Sequence, residues 1–161
     1  MTMDIAVVRT PTQLSRLLPL MRAYCDFYDV APSDAALSAL SRALIADPDR
    51  EGRQLLATDG DVDLGFATLF WSWETSIAAR VGVMNDLFVV ESARGRGVGA
   101  ALIEACRAEC RDLGAERLVW QTAPDNHRAQ SLYGRVGAIQ EQWLDYWLAP
   151  RSASQVVPDG L

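Results

Sequence analysis

The stretch Ser92-Ala93-Arg94-Gly95-Arg96-Gly97-Val98-Gly99-Ala100-Ala101-Leu102-Ile103 decides how this chain is read. It follows an extended apolar run, Asp86 to Val90, and passes directly into a helical pattern. Glycines at 95, 97 and 99 remove the β-carbon where the backbone must turn sharply or approach a ligand. The first amides of the helix have no intrahelical partners and lie at the positive end of its dipole. Such a junction holds a phosphate with main chain alone. Arg94 and Arg96 add positive charge to a chain whose net charge is −6. The expectation is a phosphorylated cofactor bound at a strand-to-helix turn.

Spacing sorts the phosphate-binding loops. A P-loop ends in Gly-Lys-Ser/Thr, and this chain contains no lysine. Gly95-x-Gly97-x-x-Ala100 fits the relaxed dinucleotide fingerprint, which keeps a nucleotide-dependent oxidoreductase among the readings. That fingerprint ordinarily opens a series of βαβ units, whereas here only about two strands can follow it. A glycine-rich turn without a ligand is the third reading.

A fourth reading takes in more of the chain. Arg94-x-x-Gly97-x-Gly99 resembles the acetyl-CoA pyrophosphate loop of the GCN5-related N-acetyltransferase superfamily. In that family a Leu-x-Val strand precedes the loop, and here it reads Leu87-Phe88-Val89. After the loop helix come the strand Leu118 to Thr122, then Asn126-His127-Arg128-Ala129-Gln130-Ser131-Leu132-Tyr133, then Gly137-Ala138. These match the family's Asn-x-x-Ala-x-x-Leu-Tyr and its Gly-Ala ending. The resemblance is continuous from about Gly65 to Trp147 and touches the diamine and fungal histone/polyamine acetyltransferase branches.

Composition is that of an ordinary enzyme domain. Half of the 161 residues are hydrophobic, yet no run reaches the length of a membrane span. The acidic balance and the lack of a basic patch argue against nucleic acid. Met1 to Thr10 lacks the apolar stretch of a signal peptide, so a cytoplasmic protein is expected. With 1 histidine and 3 cysteines no metal-ligand spacing appears. Cys106 and Cys110, one helical turn apart, are poor disulfide partners and read as buried thiols.

Periodicity gives the order β-α-α-β-β-β-α-β-α-β. Strands are expected at Asp4–Arg9, Gln54–Thr58, Leu64–Trp73, Ala79–Val90, Leu118–Thr122 and Ile139–Leu148. Helices are expected from Pro11 or Thr12 to about Tyr28, from Pro32-Ser33-Asp34 to before Pro48, from Gly97 to Leu113, and from Asn126 to Val136. The pattern implies one domain over 1–150 and a tail at 151–161. The order matches the acetyltransferase fold, an α/β architecture with a mixed sheet splayed at its centre.

The resemblance also implies a site. Acetyl-CoA would lie in the splay, with its pantetheine arm on the edge of Leu87, Phe88 and Val89 and the Val89 amide aimed at the thioester carbonyl. Its pyrophosphate would meet the segment Arg94, Gly95, Arg96, Gly97, Val98, Gly99 and Ala100, with Asn126 near the arm. A primary amine is about one part in a thousand neutral at pH 7, so the reaction needs proton transfer as well as alignment. Tyr133 shares a helix face with Asn126 and is the candidate acid for the leaving thiolate. Asn85-Asp86-Leu87-Phe88-Val89 resembles the Glu-Asp-Phe-Phe-Val of diamine acetyltransferases, with Asn85 in the glutamate's place. Asp86 is therefore the candidate base, and Glu74 a second acting through water. Tyr24, Asp26, Tyr28 and Asp29 on the first helix, and Trp71, Trp73 and Glu74 near the following loop, are candidates for the acceptor side. Aromatic rings beside carboxylates suit an ammonium group, which points to a small amine, a polyamine or a basic peptide. A non-catalytic acyl-CoA-binding module keeps the loop but has no use for Tyr133. Trp143, Tyr146 and Trp147 suggest an interface, as in a homodimer.

Overall fold

The computed structural model describes residues 2–150, so the tail expected at 151–161 lies outside the described residues. Thr10 opens the first helix with a capping box, its hydroxyl accepting from the Gln13 amide and Gln13 reaching back to the Thr10 amide. Pro11 at the first helical position has no amide to leave unpaired there. The elements are β1 (Met3–Val7), α1 (Pro11–Phe27), α2 (Asp34–Ala46), β2 (Gly52–Asp59), β3 (Val62–Glu74), β4 (Ala79–Val89), a 3₁₀ turn (Glu91–Ala93), α3 (Val98–Leu113), β5 (Arg117–Val119) and α4 (His127–Arg135).

The strands form one sheet in the order β1-β2-β3-β4-β5. Pairs from β1 to β4 are antiparallel, and only β4 and β5 run parallel. A doubly wound sheet would be parallel through several crossovers; this one contains a single β4-α3-β5 crossover. The sheet is covered on both faces, which is why β3 is buried continuously from Leu64 to Leu69 rather than at alternate positions. On one face Leu17, Leu20 and Met21 of α1 pack with Leu37 of α2, Leu56 and Phe66. On the other, Leu102, Ile103 and Cys106 of α3 pack on Leu55, Leu69 and Met84.

Both edges of β4 are irregular. The β3–β4 register pairs Thr68 with Asp86 and Leu69 with Met84, so Asn85 is an extra residue bulged out of the ladder. On its other side β4 meets β5 through only Val81, Gly82 and Val83. Beyond Val83 the outer edge of β4 carries no strand among the described residues.

The last expected strand does not form. Ile139 to Leu148 has no regular structure, and Trp143, Leu144, Tyr146, Trp147 and Leu148 are at least 80% exposed. Its alternating sequence supplies strand propensity, but a strand needs a ladder partner, and β5 ends after three residues without extending toward it. Trp71 also departs from its expected place near the acceptor. It is core, packed beneath the Arg53 guanidinium and donating its indole N–H to the Pro48 carbonyl.

Cys25, Cys106 and Cys110 are free and buried. Burial pushes the Cys106 thiol up to about 12 and that of Cys110 to about 11. In the unfolded chain both ionise near their ordinary value of about 8.5. Between that value and the raised ones the unfolded state holds fewer protons, so stability falls as pH rises. We expect the denaturant midpoint to drop from pH 8 to pH 10.5, and the slope to flatten in Cys106→Ala. A thiol reagent at pH 8 should leave Cys106 and Cys110 unmodified until the protein unfolds.

Candidate active site

Where β5 leaves β4, a cleft of about 550 Å³ opens between them. Leu87, Phe88 and Val89 form one wall. The Val90 amide bonds inward to the Leu64 carbonyl. Successive amides along a strand alternate in direction, so the Val89 amide faces the open side. The Val89 carbonyl, on that same side, accepts from Nε of Arg94 at 3.0 Å. Arg94 thus braces the end of the strand.

The glycine loop closes one end. The 3₁₀ turn brings the chain around, and Gly95 and Gly97 take φ of +79° and +85°, where an L side chain is strained. Gly97 is the N-cap of α3 and offers no side-chain hydrogen bond to the first amides of the helix. These donors, carried by Val98, Gly99 and Ala100, face the cleft that the three residues line. An anionic group there meets both the free amides and the helix dipole. Gly99 also lets α4 approach, because a β-carbon at 99 would stand 2.9 Å from Leu132 Cδ2.

The opposite wall comes from α4 and the residues after β5. Asn126 caps α4, its side-chain oxygen accepting from the Ala129 amide at 3.2 Å. Tyr133 lies two turns on and packs edge-to-face on Trp120 with centroids 5.2 Å apart. Both Asn126 and Tyr133 line the cleft. Burial raises the Tyr133 pKa, and a hydrogen bond with Thr122 partly offsets the rise. Its hydroxyl therefore holds its proton through the neutral range.

Tyr24, Phe27 and Tyr28 of α1 and Asn85 of the bulge close the other end. The sequence-predicted residues therefore divide. Leu87, Phe88, Val89, Arg94, Gly95, Gly97, Val98, Gly99, Ala100, Asn126, Tyr133, Tyr28 and Asn85 share this cleft. Arg96 points to solvent beside it, and Asp86 lies behind Tyr24 without lining it. Asp29, Trp73 and Glu74 stand outside the lining. β3 continues as a strand to Glu74, so its end projects past the cleft. There Trp73 is 72% exposed with Arg80 over its ring, and Glu74 pairs with Arg117 at 3.5 Å. Trp120, Phe27 and Arg128 also line the cleft without having been expected there. Arg128 falls inside the Asn126–Tyr133 motif, which was the signal for it. Trp120 and Phe27 gave none beyond apolar spacing.

The family model for the acetyltransferase (GNAT) family matches residues 17–138. The chain belongs to that family. It is 30% identical over 135 residues to the uncharacterized N-acetyltransferase YhfO of Bacillus subtilis (strain 168), covering 84% of this chain and 89% of that one. It is 34% identical over 107 residues to the D-amino-acid N-acetyltransferase HPA3 of Saccharomyces cerevisiae, covering 66% of each. A solved structure described as a probable acetyltransferase superposes with a TM-score of 0.77 at 27% identity, over 94% of this chain and 99% of that one. The chain is an N-acetyltransferase of the acetyl-CoA-dependent GNAT type. These comparisons give no support to the oxidoreductase or to the non-catalytic module.

A site built from main-chain amides fails when its backbone shape is lost. Gly97→Val forces a β-branched residue into φ +85° and directs a side chain into open space beside the free amides. We expect acetyl-CoA affinity to fall by about two orders of magnitude or more in calorimetric titration, with the loss of roughly 3 kcal/mol coming from the ligand contacts. Thermal unfolding should also drop, by the roughly 1–2 kcal/mol of left-handed backbone strain rather than by a clash, since nothing packs within 4 Å of a β-carbon at 97. Gly97→Ala, with less strain, should separate the loss of affinity from the loss of stability.

Proposed function

We propose that acetyl-CoA lies along the open edge of β4, with its pyrophosphate on the amides of Val98, Gly99 and Ala100, and that its acetyl group passes directly to a primary amine. The observation that carries this reading is one cleft bounded by the unpaired edge Leu87–Val89, the uncapped start of α3 and Tyr133. No group needs to be carried on the protein. The amine attacks the thioester carbonyl, the developing oxyanion is met by the Val89 amide, and the thiolate leaves with the proton of Tyr133. An aimed backbone donor of this kind contributes roughly 3–4 kcal/mol to such a step. Asn126 would face the pantetheine arm, and Arg94 and Arg96 would supply positive charge near the phosphates.

The acceptor enters at the end walled by Tyr24, Phe27 and Tyr28, with Asn85 as its polar neighbour. Aromatic faces attract a cationic group, which supports a small amine, a polyamine or the amine of a basic peptide. HPA3, named for D-amino acids, is consistent with a compact acceptor. The residues from 1 to 150 then act as one catalytic domain, in a cytoplasmic setting that suits three reduced thiols. A homodimer fits the exposed Trp143, Tyr146 and Trp147, since an apolar segment of that kind marks an interaction surface.

The reading is tested by following thiol release from acetyl-CoA against a panel of amines, amino acids, aminoglycosides and peptides. Binding of acetyl-CoA without release of CoA to any of them would overturn it. With an active acceptor in hand, Tyr133→Phe should lower kcat by about one to three orders of magnitude. Acetyl-CoA affinity should hardly change, since only the hydroxyl is lost. Unaltered turnover would leave Tyr133 a packing residue on Trp120.

A further inference from the structure

One polar row crosses the sheet face under α1, where apolar side chains otherwise pack. Gln54 of β2 is paired with Thr68 of β3, and Thr68 with Asp86 of β4. Gln54 and Thr68 are at most 2% exposed, and the Gln54 amide nitrogen donates to the Thr68 hydroxyl at 3.2 Å. The Gln54 side-chain oxygen is buried without a partner among the described residues. The row runs from the buried Gln54 through Thr68 to a last member on β4. That end is the Asp86 carboxylate.

Asp86 is held there by its neighbours. Asn85, displaced by the bulge, donates to one carboxylate oxygen at 2.9 Å. Tyr24 packs on Phe88 and Phe66, and Asp86, two residues before Phe88 on the same face of β4 and paired with Thr68, is the carboxylate next to it, whose charge acts on the Tyr24 hydroxyl. Tyr24 itself is clamped by rings, 4.9 Å from Tyr28, 6.0 Å from Phe66 and 6.4 Å from Phe88 between centroids. It lines the cleft at the acceptor end, and Asp86 does not. The carboxylate is thus separated from the cleft by one hydroxyl.

We propose that Tyr24 is a catalytic residue that relays the acceptor's proton to Asp86, a positioning residue that acts through it. This inference rests on the acetyl transfer proposed above. The proton moves from the ammonium nitrogen to Tyr24 Oη while the Tyr24 proton passes to an Asp86 oxygen and then to solvent. The electron pair left on nitrogen forms the C–N bond, the C–S bond breaks, the thiolate takes the Tyr133 proton, and the second proton of the acylated nitrogen passes back to Tyr133. The titratable groups that face Tyr24 are Asp86 from β4 and Cys25 and Tyr28 of its own helix, while β3 presents Phe66. Burial first, then the Asp86 charge, keeps the Tyr24 hydroxyl protonated well above its ordinary range, as a relay that begins and ends neutral requires.

The relay matters only while the acceptor is an ammonium ion. In Tyr24→Phe and Asp86→Asn the enzyme must wait for the neutral fraction of amine. With 2-phenylethylamine or putrescine as probe, we expect kcat/KM of each variant to fall about a hundredfold at pH 7. It should recover to within about threefold of the parent near pH 10, where roughly half of a primary amine is neutral. The double variant should be no worse than either single one. Acetyl-CoA affinity should be unchanged in all three, because Phe keeps the ring packing and Asn keeps the shape. A deficit independent of pH, additive losses, or parental activity in both single variants would overturn the relay. Failure of the parent to acetylate any amine overturns the transfer reading instead, so the two failures are separable.

Discussion

The site depends on how early β5 parts from β4. Three residue pairs join them, Val81–Val83 with Arg117–Val119, and then the strands diverge. Had the ladder continued, the amides of Leu87 and Val89 would be spent on a neighbour and no cleft would exist. The divergence is held from both ends. Gly82, in the seam, leaves room for the Cys110 sulfur of α3 and for Leu69 and Trp71, which ties the crossover helix tightly where the strands still touch. At the far end Leu132 packs against Gly99, which fixes α4 and Tyr133 across the gap. The cleft is therefore a consequence of packing on either side of it rather than a gap in the packing.

The irregularity of β4 extends that logic to the acceptor. A regular strand would put Asn85 and Asp86 on opposite faces and leave it there. The bulge adds a residue, so Asn85 lines the cleft while its amide still holds the carboxylate of Asp86 on the α1 side. One displaced residue links the wet cleft to the buried row of Thr68 and Gln54. The neighbouring Gly65 belongs to the same device, since a β-carbon there would press on the Phe88 carbonyl and push β3 away from β4 beside the open edge.

Much of the fold and site was legible from residues alone, and the reasons differ by element. The loop was legible because positive φ and an uncapped helix start leave few residue choices, and glycine at 95 and 97 meets them. Asn126 was legible because capping is local, and the side chain does cap α4. The strand at 139–148 was not, because alternation states a preference but not a partner. Trp73 and Glu74 were misplaced because the run of β3 past the cleft depends on its pairing with β4. Tyr24 was named as an acceptor-side residue, but its relation to Asp86 joins two elements distant in sequence and needs the bulge. No local pattern announces a bulge, since it is a property of two strands together.

The glycine-loop end of the cleft offers peptide groups, and this changes what substitution can do to it. Exposed Arg96 can exchange over generations without touching the donors. Only the few positions that fix the backbone, Gly97 above all, are restrained. Divergence in this protein's descendants should therefore accumulate at the opposite end, where the rings of Tyr24, Phe27 and Tyr28 and the side chain of Asn85 line the cleft, while the backbone donors stay as they are. The same molecule is conservative at one end of its cleft and free to explore at the other.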